Sequence, residues 1–587
     1  MQTMSYDLLL KGGLVFDGLG QPPVLADLAI RDGKVVALGE KLDGAAREIR
    51  DCSGLWVMPG LVDIHTHYDL EVEISPGLTE SLRHGVTTVV MGNCSLSVTM
   101  GEPSMLADMF LRVETLPRVL IEKWLARSVS WRSPQAYISH LRSLPLGPSV
   151  APLLGHSALR AHVMGLERAL GAKPTQDELR RMRELAEASL DAGCIGISVD
   201  LLPWHMMSGQ FKGVALPSHH AAFAEVAMLA DVCRAKDAVF QVTPNPQDLR
   251  TMFVILWVSL GLFRRPLRTT VLTALDAVAN RHLWRVFSPL LFVFNRLLGC
   301  NIRFQTLTEP FIVFSDGPVT PMFEEFATGV QLNDQDTAEE RRALWRDTTF
   351  RERFRRDWTH MRRKTFHCNL DLMFITECPD ATLVGKSFGS AAAEAQQEPV
   401  AYFMDLLERY DMQIRWVTNA ANDRSEIRER LMRDDFILPG FTDAGAHVRN
   451  LGYYDGALAL IRQAARTGFM SVERAVARVT GEAARWFGLD RGILAVGERA
   501  DIVILDPQRL VTDTTPQVEI ADPLLDGAHR MVKPPSPEIV SVFIGGQVAV
   551  EGTSLSAVVG QEKLGSVVSP AHARAKVDGT VTLAGRP

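Results

Sequence analysis

Between about residues 58 and 490, short apolar runs alternate with longer stretches in which apolar positions recur at helical spacing. Runs without polar alternation belong to strands buried on both faces, so the alternation predicts repeated βα units and a parallel sheet. Candidate strands fall at 61–65, 86–91, 150–154, 194–199, 238–243, 300–305, 371–375, 413–418 and 436–442. That is one more than a closed (β/α)8 TIM-like barrel holds, and 371–375 is assigned to an insertion. The helix over 176–192 is well signed, with Thr175 placed to cap it, Glu178 three residues on and Gly193 to stop it.

The two chain ends carry a different pattern. Residues 1–57 and 491–552 show alternating apolar positions and hairpin glycines, as in Ile502-Val503-Ile504-Leu505 and Ile539-Val540-Ser541-Val542-Phe543-Ile544. Both ends most simply pair into one small β-sandwich domain beside the barrel of 58–490. Residues 553–587 are polar and rich in Gly and Ala, the composition of a loosely ordered tail.

Within the barrel, 250–299 stands out as an apolar, basic insert. Met252-Phe253-Val254-Ile255-Leu256-Trp257-Val258 and Leu290-Leu291-Phe292-Val293-Phe294 are interspersed with Arg264, Arg265, Arg268, Arg281, Arg285 and Arg296, against the single acid Asp276. Neither run reaches the ~20 residues of a membrane span. Such a segment can make a peripheral contact with an anionic membrane through 252–299, line an approach for hydrophobic substrates, or pack against the barrel or a second subunit.

Composition narrows the partners. A hydrophobic fraction of 47% with 22% charged residues is ordinary for a globular chain, and a net charge of −7 disfavours nucleic acid as partner. The seven cysteines, at 52, 94, 194, 233, 300, 368 and 378, form no Cys-x-x-Cys pair and no disulfide-like array. With no signal-peptide pattern in Met1–Asp7, the chain reads as cytoplasmic.

The candidate chemistry begins where the first apolar run ends, in Pro59-Gly60-Leu61-Val62-Asp63-Ile64-His65-Thr66-His67. Residues i and i+2 of a strand share a face, so His65 and His67 can grip one ion. Cys94 follows the strand-like Val86-Thr87-Thr88-Val89-Val90, and Asp443 follows Phe436-Ile437-Leu438-Pro439-Gly440-Phe441-Thr442. Each has a plain alternative: Cys94 as a core thiol, Asp443 as a turn former beside Gly445.

With Tyr6–Gly13, Gly155-His156, Gly196-Ile197-Ser198, Asp490-Arg491-Gly492 and Gly497–Val503 in the same order, the chain resembles the amidohydrolase superfamily, in its N-acyl-D-amino-acid deacylase (D-aminoacylase) branch. The resemblance implies a metal-dependent hydrolase that cleaves a linear amide of a small N-acyl amino acid or a related hydrophobic amide. It implies Zn2+ held by His65, His67, Cys94 and Asp443, with water as nucleophile. Asp443 is then also the general base that takes the proton from water and returns it to the leaving nitrogen. His156 and His447 become substrate-side residues, and Arg449, Arg303 or Lys212 the partner of a substrate carboxylate. Barrels of this kind often associate, so a homo-oligomer is expected.

The departures matter as much. The branch usually ends its fifth and sixth strands with histidines for a second metal. Here those places read Val239-Phe240-Gln241-Val242-Thr243-Pro244 and Ile302-Arg303-Phe304-Gln305-Thr306-Leu307. Glutamine and threonine are poor zinc ligands, so one zinc per site is expected. No strand end carries the lysine that bridges two metals in other amidohydrolases, which disfavours a cyclic amide or imide hydrolase. A non-catalytic barrel serving as a scaffold is the remaining alternative.

Overall fold

The computed structural model describes residues 6–361, 364–510, 516–568 and 570. Eight strands form one all-parallel sheet: Leu61–Asp63, Val86–Met91, Ser149–Gly155, Gly196–Asp200, Val239–Thr243, Arg268–Leu272, Asn301–Thr306 and Ile437–Pro439, each hydrogen-bonded to the next. The first and eighth strands meet through backbone bonds just beyond their ends, His67 N to Ala444 O at 2.7 Å and Asp443 N to His65 O at 3.1 Å. This is the parallel sheet of a TIM-like barrel, and its closing seam lies beside His65, His67 and Asp443.

Two of the expected strands require correction. The sixth barrel strand is Arg268–Leu272, inside the stretch read as an insert. The strand expected at 413–418 is instead Arg415–Ala421, the centre of a three-stranded antiparallel sheet between Phe311–Asp316 and Met373–Glu377. Residues 250–299 are therefore not an insert but barrel units: helix Leu249–Ser259, the sixth strand, and helix Trp284–Phe292 with its π-helical continuation Val293–Leu297. The larger insertion lies between the seventh and eighth strands. It has an aromatic core of its own, built on Phe323, Phe354, Trp358, Phe403 and Trp416.

Strands from both chain ends join one nine-stranded sheet, in which Ile502–Leu505 pairs with Trp56–Pro59 and with Ile539–Ile544. Alternation decides the faces: Ile502 and Ile504 pack with Leu8, Leu28 and Phe543, while Val503 and Leu505 join the barrel's core. A separate hairpin, Val518–Asp522 with Ala528–Val532, lies over the loop after the eighth strand, where Met531 N donates to Val448 O at 2.6 Å. The expected loose tail is pinned in its described part, Leu564 N to Leu146 O and Val568 N to Val150 O. Residues 571–587 of that tail lie outside the described residues, as do Met1–Ser5 of the N-terminal reading. The cap of helix Gln176–Ala192 is a full capping box between Thr175 and Glu178.

Candidate metal centre

His65, His67, Cys94 and Asp443 come from the ends of three different strands and converge at the barrel's C-terminal rim, where such barrels build their active sites. Among the described residues, the ligand atoms of His65, His67 and Cys94 lie within 4.8 Å of one another. His65 Nε2 stands 3.4 Å from Cys94 Sγ and 3.5 Å from Asp443 Oδ1, and His67 Nε2 is 3.3 Å from the same oxygen. A tetrahedral zinc with bonds of about 2.0–2.3 Å holds its ligand atoms roughly 3.3–3.6 Å apart. Two imidazoles, a thiol and a carboxylate are donors that suit that ion, and the His65–Cys94, His65–Asp443 and His67–Asp443 separations fall in that range, although the mutually close group comprises His65, His67 and Cys94 without Asp443.

The local backbone aims these groups at some cost. Cys94 and Asp443 adopt left-handed φ of 49° and 59°, and Ser95 and His447 do likewise at 64° and 48°. Non-glycine residues persist there only where the surroundings hold them, a mark of functional sites. Gly445, φ +94°, is required at the seam, since a Cβ there would meet His67 O at 2.5 Å.

Electrostatics without a cation are poor for the thiolate. Burial, with Asp200 and Asp443 nearby, pushes the Cys94 thiol well above its ordinary value. Burial lowers His65 to about 3, so its imidazole is neutral, the form that ligates. Burial alone would raise the Asp443 carboxyl, but the hydrogen bond and charge of His67, then His65 and His447, hold it well below the carboxylate range.

The places where a second metal's histidines were sought carry amides. Gln305 Oε1 sits 2.9 Å from His65 Nδ1, while its Nε2 donates to Thr270 Oγ1 at 3.0 Å. An acceptor at Nδ1 fixes the tautomer that leaves Nε2 free for an ion. Gln241 Oε1 accepts from Cys94 N at 2.9 Å, and Thr243 Oγ1 donates to Cys94 Sγ at 3.4 Å. The sixth strand, correctly placed, reads Arg268-Thr269-Thr270-Val271-Leu272 and also ends without a histidine. Gln305→Leu is expected to weaken zinc binding about 10–100-fold with the fold retained, measured by competition with a chelating dye. Unchanged affinity would show that His65 needs no such support.

A cavity of about 410 Å³ has His447 and His205 on its wall next to Trp204, Met206, Val113 and Met412, while His65, His67, Cys94 and Asp443 do not line it. Arg449 lines it too, but its guanidinium is clasped by Asp316 at 2.8 Å and Glu519 at 3.0 Å. Lys212 pairs with the exposed Asp336 at 3.2 Å. Arg303 lies elsewhere, stacked over Phe436 at the start of the eighth strand. His156 also departs from expectation. It is fully buried, with both ring nitrogens occupied by Glu225 Oε1 at 2.7 Å and Ser218 Oγ at 2.9 Å, so it cannot touch a substrate. His205, in the loop after the fourth strand, pairs with Asp200 at that strand's end, and an acid at a strand end is the sequence signal for such a partner.

The Amidohydrolase family profile matches residues 48–242. An uncharacterized protein of Mycobacterium tuberculosis is 39% identical over 569 residues, covering 94% of this chain and 93% of the relative. The chain belongs to the amidohydrolase family. N-acyl-D-glutamate deacylase of Alcaligenes xylosoxydans xylosoxydans is 27% identical over 506 residues, 85% of this amidohydrolase and 87% of its own length. A crystal structure of D-aminoacylase superposes with a TM-score of 0.64 at 20% identity, over 96% of this chain and 100% of that one. Membership makes the protein a hydrolase of carbon–nitrogen bonds other than peptide bonds.

Proposed function

We propose that this amidohydrolase uses one zinc ion per site to cleave the linear amide of an N-acyl amino acid or a related hydrophobic amide. The observation that carries the reading is the convergence of His65, His67 and Cys94, with Asp443 Oδ1 3.3–3.5 Å from the two imidazoles, and with glutamine and threonine where further ligands would stand. When bound, zinc polarises the amide carbonyl and makes water nucleophilic near neutral pH. Asp443, whose side chain is 21% exposed and whose Oδ1 lies 3.3 Å from His67 Nε2, serves as general base. His447, whose Nδ1 is buried with no hydrogen-bond partner among the described residues, stands on the cavity wall where it can orient the amide. Lys212 is the least committed cation on that wall and the one we assign to a substrate carboxylate. Apolar Trp204, Met206 and Met412 suit a hydrophobic acyl group. The reading is completed by a cytoplasmic location and a homo-oligomeric state.

Metal analysis of the purified protein, with a hydrolysis screen over N-acyl amino acids of both chiralities and several acyl lengths, tests it. One equivalent of zinc and turnover of a subset are expected. Two tightly held zincs would reject the single-ion part, and no metal with no turnover would leave a non-catalytic barrel.

A further inference from the structure

The outer surface of the fifth and sixth barrel helices is unusually apolar for an exposed face. Helix Leu249–Ser259 presents Phe253 and Trp257, 67% and 54% exposed and stacked on each other. The loop that follows carries Leu262 and Phe263, and Phe263 projects completely, with a left-handed φ of 63° that a bulky side chain adopts only at a cost. Phe292, Val293 and Leu297 extend the surface from the neighbouring helix, 54%, 40% and 63% exposed. The two helix ends touch, Gly261 N donating to Leu298 O at 3.3 Å, so these side chains belong to one patch.

Its charge is opposite to that of the rest of the protein. Residues 249–299 hold seven arginines and one acid, a balance of +6, so the remainder of a chain with net charge −7 carries −13. The one acid, Asp276, is buried and paired with Arg424. Arg264 and Arg265 are exposed beside Phe263, and both have a carboxylate within 4 Å. Arg250, Arg285 and Arg296 are exposed and form no ion pair among the described residues, with Arg285 lying over Trp284 and Arg296 over Phe436.

We infer that this face docks the protein on an anionic lipid bilayer, with Trp257, Leu262, Phe263 and Leu297 entering the interface and the arginines meeting lipid phosphates. An exposed apolar loop suits a deformable apolar medium, and the exposed guanidiniums of Arg264 and Arg265 beside Phe263 match phosphate geometry. No described helix is long and apolar enough to cross a membrane, so the attachment is peripheral. Loop 260–267 joins a helix C-terminus to the start of the sixth strand, at the barrel end opposite Cys94 and Asp443. The patch therefore anchors the barrel and leaves the cavity facing away from the lipid, which rules out its role as a substrate approach. The inference does not depend on the hydrolytic reading.

Co-sedimentation of the full chain with vesicles of phosphatidylcholine, with and without phosphatidylglycerol, tests it. Binding is expected to the anionic vesicles alone and to weaken with salt. The double variant Trp257→Ser/Phe263→Ser should lose about tenfold or more of it, with its circular dichroism spectrum and melting temperature unchanged. Arg285→Gln/Arg296→Gln should flatten the salt dependence. The docking is refuted if the parent stays in the supernatant, or if the apolar double variant binds as well as the parent. It is equally refuted if sedimentation velocity shows, without lipid binding, a dimer that this variant dissolves, for the face would then meet a second copy.

Discussion

Asp443→Asn should lower kcat by about 10³-fold while the protein keeps nearly all its zinc. The substitution is isosteric, so the side-chain oxygen that stands 3.3 Å from His67 Nε2 and 3.5 Å from His65 Nε2 survives. His65, His67 and Cys94 are untouched, and three ligands of this kind retain zinc. What disappears is the basic lone pair: an amide oxygen cannot take a proton from water or hand it to the leaving nitrogen. General-base loss costs about 10²–10⁴ in rate, and 10³ corresponds to about 4 kcal/mol of barrier. Turnover and zinc content must be read on the same sample, because a parallel loss of metal would place Asp443 among the ligands only. Retention of more than about a tenth of the activity would remove it from the proton path.

The four side chains that gather at the barrel rim were legible as candidates because each follows a short apolar run, and a run buried on both faces has few interpretations. Phe436–Thr442 before Asp443 and Val86–Val90 before Cys94 are such runs. Arg268–Leu272 is not. It opens on arginine, places threonines at 269 and 270 in the buried sheet, and lies between two strongly apolar helices that draw the eye to a longer segment. Arg415–Ala421 misled in the opposite sense, since Trp416 and the alanines at 420 and 421 make an apolar strand whose antiparallel pairing no single-strand pattern encodes. The roles of Arg449 and His156 were hidden for a different reason. Asp316 lies 133 residues before Arg449, and Glu225 lies 69 residues after His156. Whether a polar group faces a ligand or a structural partner depends on such distant pairings. The same holds for Gln305, which reads as the absence of a histidine in sequence and proves to be the group that orients His65.

Arg530→Met should destabilise the protein by about 3–5 kcal/mol, the cost of orphaning buried charge. Arg530 is 1% exposed and joins the hairpin over the site to the loops beneath it. Its guanidinium grips both oxygens of Glu71, at 3.0 and 3.1 Å, and reaches Asp522 at 3.1 Å and the Tyr454 hydroxyl at 2.6 Å. Methionine fills the volume but leaves Glu71 without its counterion. Burial already raises the Glu71 carboxyl above its ordinary value, against the pull of Arg530. Without the guanidinium it rises further, and a carboxyl whose folded pKa exceeds its unfolded one destabilises the fold once pH climbs past the unfolded value of about 4.3. The penalty should therefore be largest at neutral pH and shrink toward acid pH, where Glu71 takes a proton. Adding Glu71→Gln removes the stranded charge, so the double variant should recover much of the loss at pH 7. Urea unfolding of the parent, both single variants and the double variant at pH 5 and 7 measures this. A pH-independent loss below about 1 kcal/mol would mean that water reaches the pair and that the hairpin is held by its apolar contacts alone.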